Sequence, residues 1–107
     1  MSFEERALGC LKQNISQINT VKEWATHLEC ESVKYFSRQI RDLTGKRPKA
    51  IIIQVKLECI KECLQEHKDE ILYCVARDCG FVNDTALYNF VNRHTGKSPT
   101  ELRRECK

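Results

Sequence analysis

The sequence contains one pattern of residues twice, at a constant separation of 51 positions. Each copy opens with apolar residues at the i, i+3, i+4, i+7 spacing of an amphipathic helix: Val21, Trp24, Ala25 and Leu28 in the first copy, and Leu72, Val75, Ala76 and Cys79 in the second. A repeat of this kind indicates one supersecondary unit built twice, and its helical period predicts an all-α fold.

Each copy continues with a turn, a second helix and a glycine stop. In the second copy Gly80 and Asn83 bracket the turn, since glycine tolerates positive φ and asparagine is a good N-cap. The apolar residues that follow have helical spacing in both copies: Val33, Phe36, Ile40 and Leu43 before Gly45, and Leu87, Phe90, Val91 and His94 before Gly96. A short helix, a tight turn and a longer helix form the helix-turn-helix pattern.

The remaining segments complete a prediction of about seven helices. Residues 3–15 have an apolar face and predict the first helix. Capping boxes are expected at Thr20–Glu23 and at Ser98–Glu101, where Pro99 takes the first helical position.

A long helix is predicted from Pro48 to Gln65, followed by a polar loop over residues 65–70. Its apolar residues lie on several sides, which is typical of a helix that packs on more than one side. The expected organisation is a single domain in three parts: an N-terminal helix with the first helix-turn-helix (1–47), a linker helix (48–65), and the second helix-turn-helix with a C-terminal helix (66–107).

The composition argues against several functional classes. No run of about 18 apolar residues exists, and the N-terminus lacks the basic start and apolar core of a signal peptide. Seven cysteines, an odd number, favour a reducing cytoplasm over a disulfide framework. No nucleophile–base pair or glycine-rich phosphate loop is recognisable, so neither an enzyme nor a cofactor is expected. The net charge of +3 permits nucleic-acid binding without requiring it.

The helix-turn-helix pattern ordinarily binds double-stranded DNA, with its second helix in the major groove. For a single copy, an αα-hairpin that only packs, or a helical protein-interaction module, is the alternative. Two copies favour the DNA-binding hypothesis, because one polypeptide then offers two recognition helices without dimerising. Such a chain would read two successive major grooves at an asymmetric site.

Candidate DNA-binding residues face away from the apolar side of each longer helix. In the first unit they are Lys34, Tyr35, Ser37, Arg38 and Arg41, and in the second they are Asn83, Thr85, Tyr88, Asn89, Asn92 and Arg93. Cations neutralise phosphates, and arginine pairs with guanine through two hydrogen bonds. The second set carries little charge, so we expect the first unit to provide most of the base readout. A solvated charged face is the simpler interpretation of any one of these side chains.

The sequence resembles the DNA-binding domain of the AraC/XylS family of bacterial transcription regulators over about its last 85 residues. Residues in both copies carry the resemblance: Ala25, Phe36, Ser37, Arg38, Ile40 and Gly45, then Ala76, Gly80, Phe81, Leu87, Val91, Gly96, Pro99 and Arg103. Two positions depart from the family pattern, since Asn89 replaces an arginine and Glu29–Cys30 replaces a glycine-containing turn.

The resemblance implies promoter binding in the bacterial cytoplasm, recruitment of RNA polymerase and activation of transcription. It also implies two helix-turn-helix units joined by a long helix. Family members usually carry a separate effector or dimerisation domain, so the chain is expected to act as a monomer or as part of a longer regulator.

The cysteines offer an alternative function. Cys59 and Cys63 lie one helical turn apart, and Cys74 and Cys79 lie on another helix. Four thiolates would bind zinc or respond to oxidation if the fold gathered them, as in a thiol- or metal-responsive regulator. The spacings are not of the CxxC type, and Cys79 belongs to an apolar stripe. Buried cysteine acting as a small apolar residue is therefore the simpler interpretation, and no metal is predicted.

Overall fold

The computed structural model describes residues 2–66 and 72–105, and the regular structure in these residues is entirely helical. Seven helices occur in this part of the chain: α1 (Phe3–Gln13), α2 (Val21–His27), α3 (Val33–Thr44), α4 (Pro48–Glu66), α5 (Leu72–Asp78), α6 (Asp84–Thr95) and α7 (Pro99–Glu105). The predicted all-α fold with two helix-turn-helix units and a long joining helix is confirmed. Of the loop predicted over 65–70, the first two residues belong to α4, and 67–70 lie outside the described residues, as does the side chain of Leu72.

The chain forms two compact units, Met1–Val55 and Lys56–Lys107, and the boundary falls within α4. In the first unit α1 contacts α2 and α3, and α2 contacts α3; in the second unit α5 contacts α6, and α6 contacts α7. None of the described helices is long and apolar enough to cross a membrane.

The predicted capping boxes start α2 and α7. Thr20 Oγ1 accepts a hydrogen bond from the Glu23 N–H at 3.1 Å, and Ser98 Oγ accepts one from the Glu101 N–H at 3.2 Å. The Glu23 carboxylate reaches back one residue further than a standard box, to the Asn19 N–H at 3.2 Å. These bonds satisfy backbone donors that the first turn of a helix leaves open.

The internal repeat extends to individual hydrogen bonds at the start of the longer helices. Ser32 Oγ accepts from the Tyr35 N–H at 3.2 Å, and Asn83 Oδ1 accepts from the Ala86 N–H at 2.8 Å. The second pair lies 51 positions after the first, which is the same offset as between the apolar stripes. The predicted N-cap role of Asn83 is confirmed.

The two longer helices also end in the same way. Gly45 and Gly96 have φ of +74° and +72°, and each donates its N–H to the carbonyl four residues earlier. Thr44 and Thr95 each donate a hydroxyl hydrogen bond of 2.7 Å to the carbonyl four residues before them. A left-handed glycine closes a helix because it carries no Cβ that would meet the carbonyl oxygen.

The tight turn within each helix-turn-helix is a left-handed helix terminus. Glu29 and Gly80 occupy equivalent positions in the repeat, with φ of +58° and +86°. The following residue donates to a carbonyl five residues earlier: Cys30 to Ala25 at 2.9 Å and Phe81 to Ala76 at 2.8 Å. The left-handed residue itself donates to the carbonyl three residues earlier, which completes a Schellman motif in both units. The first turn therefore keeps this geometry without a glycine, and Glu29 carries the backbone strain.

The core of the first unit is built around Trp24, which is fully buried. Its indole Nε1 donates to the Ala7 carbonyl oxygen at 3.0 Å, and its ring meets Phe36 edge-on with 5.1 Å between centroids. Two residues predicted for the apolar stripe of α3 lie at its margins, because Val33 is 37% and Leu43 is 48% exposed. Only Phe36 and Ile40 of α3 are buried, so the packed face of this helix is narrower than its apolar pattern.

One cluster of buried residues forms the core of the second unit: Ile60, Leu64, Val75, Ala76, Cys79, Leu87, Val91 and Leu102. Phe81 and Phe90 pack against it, with 5.1 Å between their ring centroids. His94, predicted for the apolar face of α6, is exposed and places its ring 4.6 Å from that of Phe90. The turn of the second helix-turn-helix is held against α4 by this core. On one side of Gly80, Cys79 belongs to the cluster, and on the other side Phe81 packs against it.

Candidate nucleic-acid interface

The longer helix of the first unit presents a cationic face. Lys34, Arg38 and Arg41 follow at intervals of four and three residues, which places them on one side of α3, and all three are exposed. Tyr35 is 63% exposed beside them, and Ser37 is half-buried. The face exists because Phe36 and Ile40 turn the opposite side of α3 into the core.

These five predicted residues come together in one shallow surface groove. The groove is lined by Ser32, Lys34, Tyr35, Ser37, Arg38, Arg41, Asp42 and Gly45. Three cations against the single carboxylate of Asp42 give this lining a net positive charge. The sequence prediction omitted Ser32 and Asp42, although Ser32 is the N-cap of α3 and Asp42 follows Arg38 by one helical turn. Both positions were therefore visible in the sequence as neighbours of the predicted set.

The predicted residues of the second unit are all exposed: Asn83, Thr85, Tyr88, Asn89, Asn92 and Arg93. The side-chain oxygen of Asn83 already accepts the Ala86 N–H as the N-cap of α6. Asp84 lies exposed in the first turn of α6 and Arg93 in its last turn. This face is thus polar and nearly neutral, in contrast to the cationic face of α3.

The second unit also contains a cluster of three sulfur atoms. Cys59 and Cys63 of α4 and Cys79, directly after α5, place their Sγ atoms within 4.8 Å of one another. Cys79 is fully buried, as the apolar stripe predicted, whereas Cys59 and Cys63 are half-buried. Among the described residues, Cys74 does not belong to this group. The sequence prediction named all four thiols without showing which of them meet.

The sulfur atoms perturb one another's ionisation. The contact with Cys79, at 3.2 Å between the sulfurs, lowers the pKa of the Cys59 thiol to about 7. The same contact raises the pKa of Cys79, since the proton that stabilises the Cys59 thiolate is held there. Burial raises the pKa of the Cys63 thiol to about 11. The cluster therefore favours ionisation of the Cys59 thiol over that of Cys63 or Cys79.

The fold and the exposed faces define a double helix-turn-helix protein. A family model described as "Helix-turn-helix domain" matches residues 24–105, about three quarters of the chain. The chain belongs to this AraC-type helix-turn-helix family, which confirms the resemblance to AraC/XylS regulators. The family consists of DNA-binding transcription regulators.

Solved structures of the same type share the fold over nearly the whole chain. The DNA-binding domain of AdpA, crystallised in complex with a target DNA, has a TM-score of 0.79 and 24% identity, covering 98% of this chain and 93% of that one. The C-terminal domain of AraT, a response regulator from Geobacillus stearothermophilus, has a TM-score of 0.82 and 22% identity over 98% of this chain and 86% of that one. A DNA-binding transcriptional dual regulator from Escherichia coli K-12 has a TM-score of 0.76 and 16% identity over 99% and 93%. No curated protein matches the sequence significantly.

Proposed function

We propose that this chain binds double-stranded DNA sequence-specifically as the DNA-binding domain of a transcription regulator. In this proposal α3 and α6 each enter a major groove, and the two grooves follow one another on one face of the duplex. The observation that carries the proposal is the cationic groove on α3, where three cations and an exposed tyrosine surround the outward face of a helix-turn-helix. The AdpA domain, solved with its target DNA, supports DNA as the partner, because it has the same fold.

The first unit provides most of the base readout. Arg38 lies in the middle of the exposed face, with Lys34 one turn before it and Arg41 one turn after it. A guanidinium in this central position suits two hydrogen bonds to a guanine edge, whereas the flanking cations neutralise phosphates. Asp42, within the same groove, repels phosphate and accepts hydrogen bonds, which favours a cytosine amino group on its side.

The second unit mainly positions the protein on the DNA duplex. Its predicted contact residues carry one hydroxyl, three amides and one phenol, and Arg93 is the single cation among them. Asn89 and Asn92 suit adenine edges, and the backbone N–H groups at the start of α6 suit a phosphate. Because α3 and α6 carry different residues at equivalent positions, the bound site is asymmetric.

Further properties follow from the family resemblance and belong to the same proposal. The chain acts in the cytoplasm, recruits RNA polymerase and activates transcription, either as a monomer or within a longer regulator. Its parts are the first helix-turn-helix with the N-terminal helix (1–47), the linker helix (48–65) and the second helix-turn-helix with the C-terminal helix (66–107). No cofactor is required for DNA binding.

Selection of bound sequences from random duplex DNA tests this proposal. We expect one asymmetric motif with two blocks separated by about one helical turn, 10–10.5 base pairs, with the stronger block contacted by α3. A motif with a single enriched block would support base readout by α3 and would contradict base readout by α6. Weak binding without enrichment, which disappears at moderate salt, would contradict the proposal and favour the protein-interaction module instead.

Three variants at the selected site separate base readout from charge. Arg38→Ala should weaken specific binding by about 1–3 kcal/mol and relax the preference at one base pair. Arg38→Lys keeps the charge but loses the two-pronged geometry, so it should lose most of the same specificity. Lys12→Ala removes one exposed cation of α1 that does not line the groove, and its effect should be small at physiological salt. Equal losses for Arg38→Ala and Lys12→Ala would show that Arg38 contributes charge alone.

A further inference from the structure

The geometry of the second unit points to a metal site: we propose that Cys59, Cys63 and Cys79 bind one thiophilic divalent cation of the zinc class through three thiolates. The three Sγ atoms lie within 4.8 Å of one another, and two of the separations are 3.2 Å and 3.8 Å. This site lies within the second unit and is independent of any contact with DNA.

The distances suit tetrahedral coordination. A Zn–S bond of about 2.3 Å and tetrahedral angles require sulfur atoms about 3.8 Å apart. Each separation in the cluster is within about 1 Å of that value, so small side-chain rotations are sufficient. Cys59 and Cys63 are one helical turn apart on α4, the same i, i+4 placement by which a helix supplies two metal ligands in HExxH sites.

The surroundings of the cluster fit a divalent rather than a monovalent ion. Three thiolates and a divalent cation carry a net charge of −1, and the ammonium of Lys56 supplies a compensating positive charge. Lys56 is 3% exposed, and its Nζ donates to the Cys79 carbonyl oxygen at 3.2 Å. A monovalent ion would leave a charge of −2 at this partly buried site, which is more costly. Cys59 and Cys63 are half-buried, so a water molecule can supply the fourth ligand.

Metal binding would connect two elements that precede the longer helix of the second unit. Two ligands come from α4, and the third directly precedes Gly80 in the tight turn between α5 and α6. Phe81, on the other side of Gly80, packs against Phe90 of α6. A bound ion therefore crosslinks the turn to α4 and stabilises the folded second unit, because the unfolded chain lacks the assembled site.

The test uses the reduced 107-residue chain, kept under an inert atmosphere, and a variant in which Cys10, Cys30, Cys74 and Cys106 are all changed to serine. Zn²⁺ is titrated in competition with a chromophoric chelator, and Co²⁺ serves as a coloured probe of thiolate ligation. We expect one equivalent of Zn²⁺ in both proteins, a tetrahedral thiolate spectrum with Co²⁺, and a higher thermal midpoint with Zn²⁺.

Single substitutions assign the ligands. Cys63→Ser should lower the Zn²⁺ affinity by at least about 100-fold. Loss of a residue that only hydrogen-bonds to a metal ligand already costs up to about 100-fold, and loss of the ligand itself should cost more. Cys74→Ser is the matched control, since Cys74 is also half-buried in the second unit but lies outside the cluster, and it should leave the affinity unchanged. If the fourfold variant fails to fold, alkylation of the original chain replaces it: Zn²⁺ should protect Cys59, Cys63 and Cys79.

Several results would overturn the site. One is that Cys63→Ser leaves the Zn²⁺ affinity unchanged. Another is that the chain binds Cu⁺ but does not bind Zn²⁺. A third is the absence of a Zn²⁺ effect together with the loss of two thiols on exposure to air, which would identify the cluster as an oxidisable pair instead.

Discussion

Replacing Glu29 by glycine should stabilise the first unit. Glu29 is the one described residue other than glycine with positive φ, at +58°, in a turn where the second unit has Gly80. A left-handed conformation costs an L-residue roughly 1–2 kcal/mol, because its Cβ approaches the carbonyl oxygen. Glycine removes that cost but adds about 0.5–1 kcal/mol of conformational entropy in the unfolded chain. The expected net gain for Glu29→Gly is therefore about 0.5–1 kcal/mol.

The single tryptophan provides the assay. Trp24 is fully buried in the first unit, so its fluorescence during urea unfolding reports on the unit that contains the substitution. With a urea dependence of about 1 kcal/mol per molar for a unit of this size, the midpoint should rise by about 0.5–1 M. The folded Glu29→Gly variant should retain the Schellman hydrogen bonds, since glycine adopts the same φ without strain.

Glu29→Ala is the matched control, because it removes the carboxylate but keeps a Cβ in the left-handed conformation. A negative charge near the end of α2 is itself unfavourable by a few tenths of a kcal/mol, and alanine removes that contribution as well. Both variants lose the carboxylate, so the stabilisation by Glu29→Gly should exceed that by Glu29→Ala by the same margin of about 0.5–1 kcal/mol. Equal midpoints for the two variants, or a lower midpoint for glycine, would refute the strain at this turn.

Two further substitutions test the helix ends and the core. Gly96→Ala should cost about 1 kcal/mol from the left-handed φ of +72° alone, because a Cβ there meets no atom within 4 Å. Urea unfolding followed by far-ultraviolet circular dichroism measures it, and a loss above about 3 kcal/mol would indicate a clash instead. Trp24→Phe should cost about 2 kcal/mol, because it removes the 3.0 Å bond to the Ala7 carbonyl and leaves part of the indole volume empty. The same circular dichroism measurement applies, and an unchanged midpoint would mean that neither the bond nor the volume contributes.

Local patterns in the sequence were sufficient for the secondary structure and for the exposed faces. Helical periodicity decides which residues share a side of a helix, so the burial of Phe36 and Ile40 already placed Lys34, Arg38 and Arg41 on the outside. Caps depend on residues three or four positions apart. The bonds at Thr20, Asn83 and Ser98 could therefore be predicted without knowledge of the fold.

The turn of the first unit required the three-dimensional structure. Its sequence lacks glycine, so residue type alone did not predict a left-handed position at Glu29. Backbone hydrogen bonds from the turn to α2 hold the glutamate there, since they close the helix in the same way as at Gly80. The sequence also left the margins of the packed faces undecided, because Val33 and Leu43 are apolar yet 37% and 48% exposed.

The sequence by itself determined the repeat, which is visible as one pattern at a separation of 51 positions. It also determined the seven helices, the caps at Thr20, Asn83 and Ser98 and the cationic face of α3, because each of these depends on residues within one or two helical turns of each other. Tertiary structure alone decided that Cys79 joins Cys59 and Cys63 while Cys74 does not, across 20 and 16 residues of chain. Side-chain contacts over such separations depend on how α5 approaches α4. That approach is set by the packing of the whole core of the second unit, which no local pattern encodes.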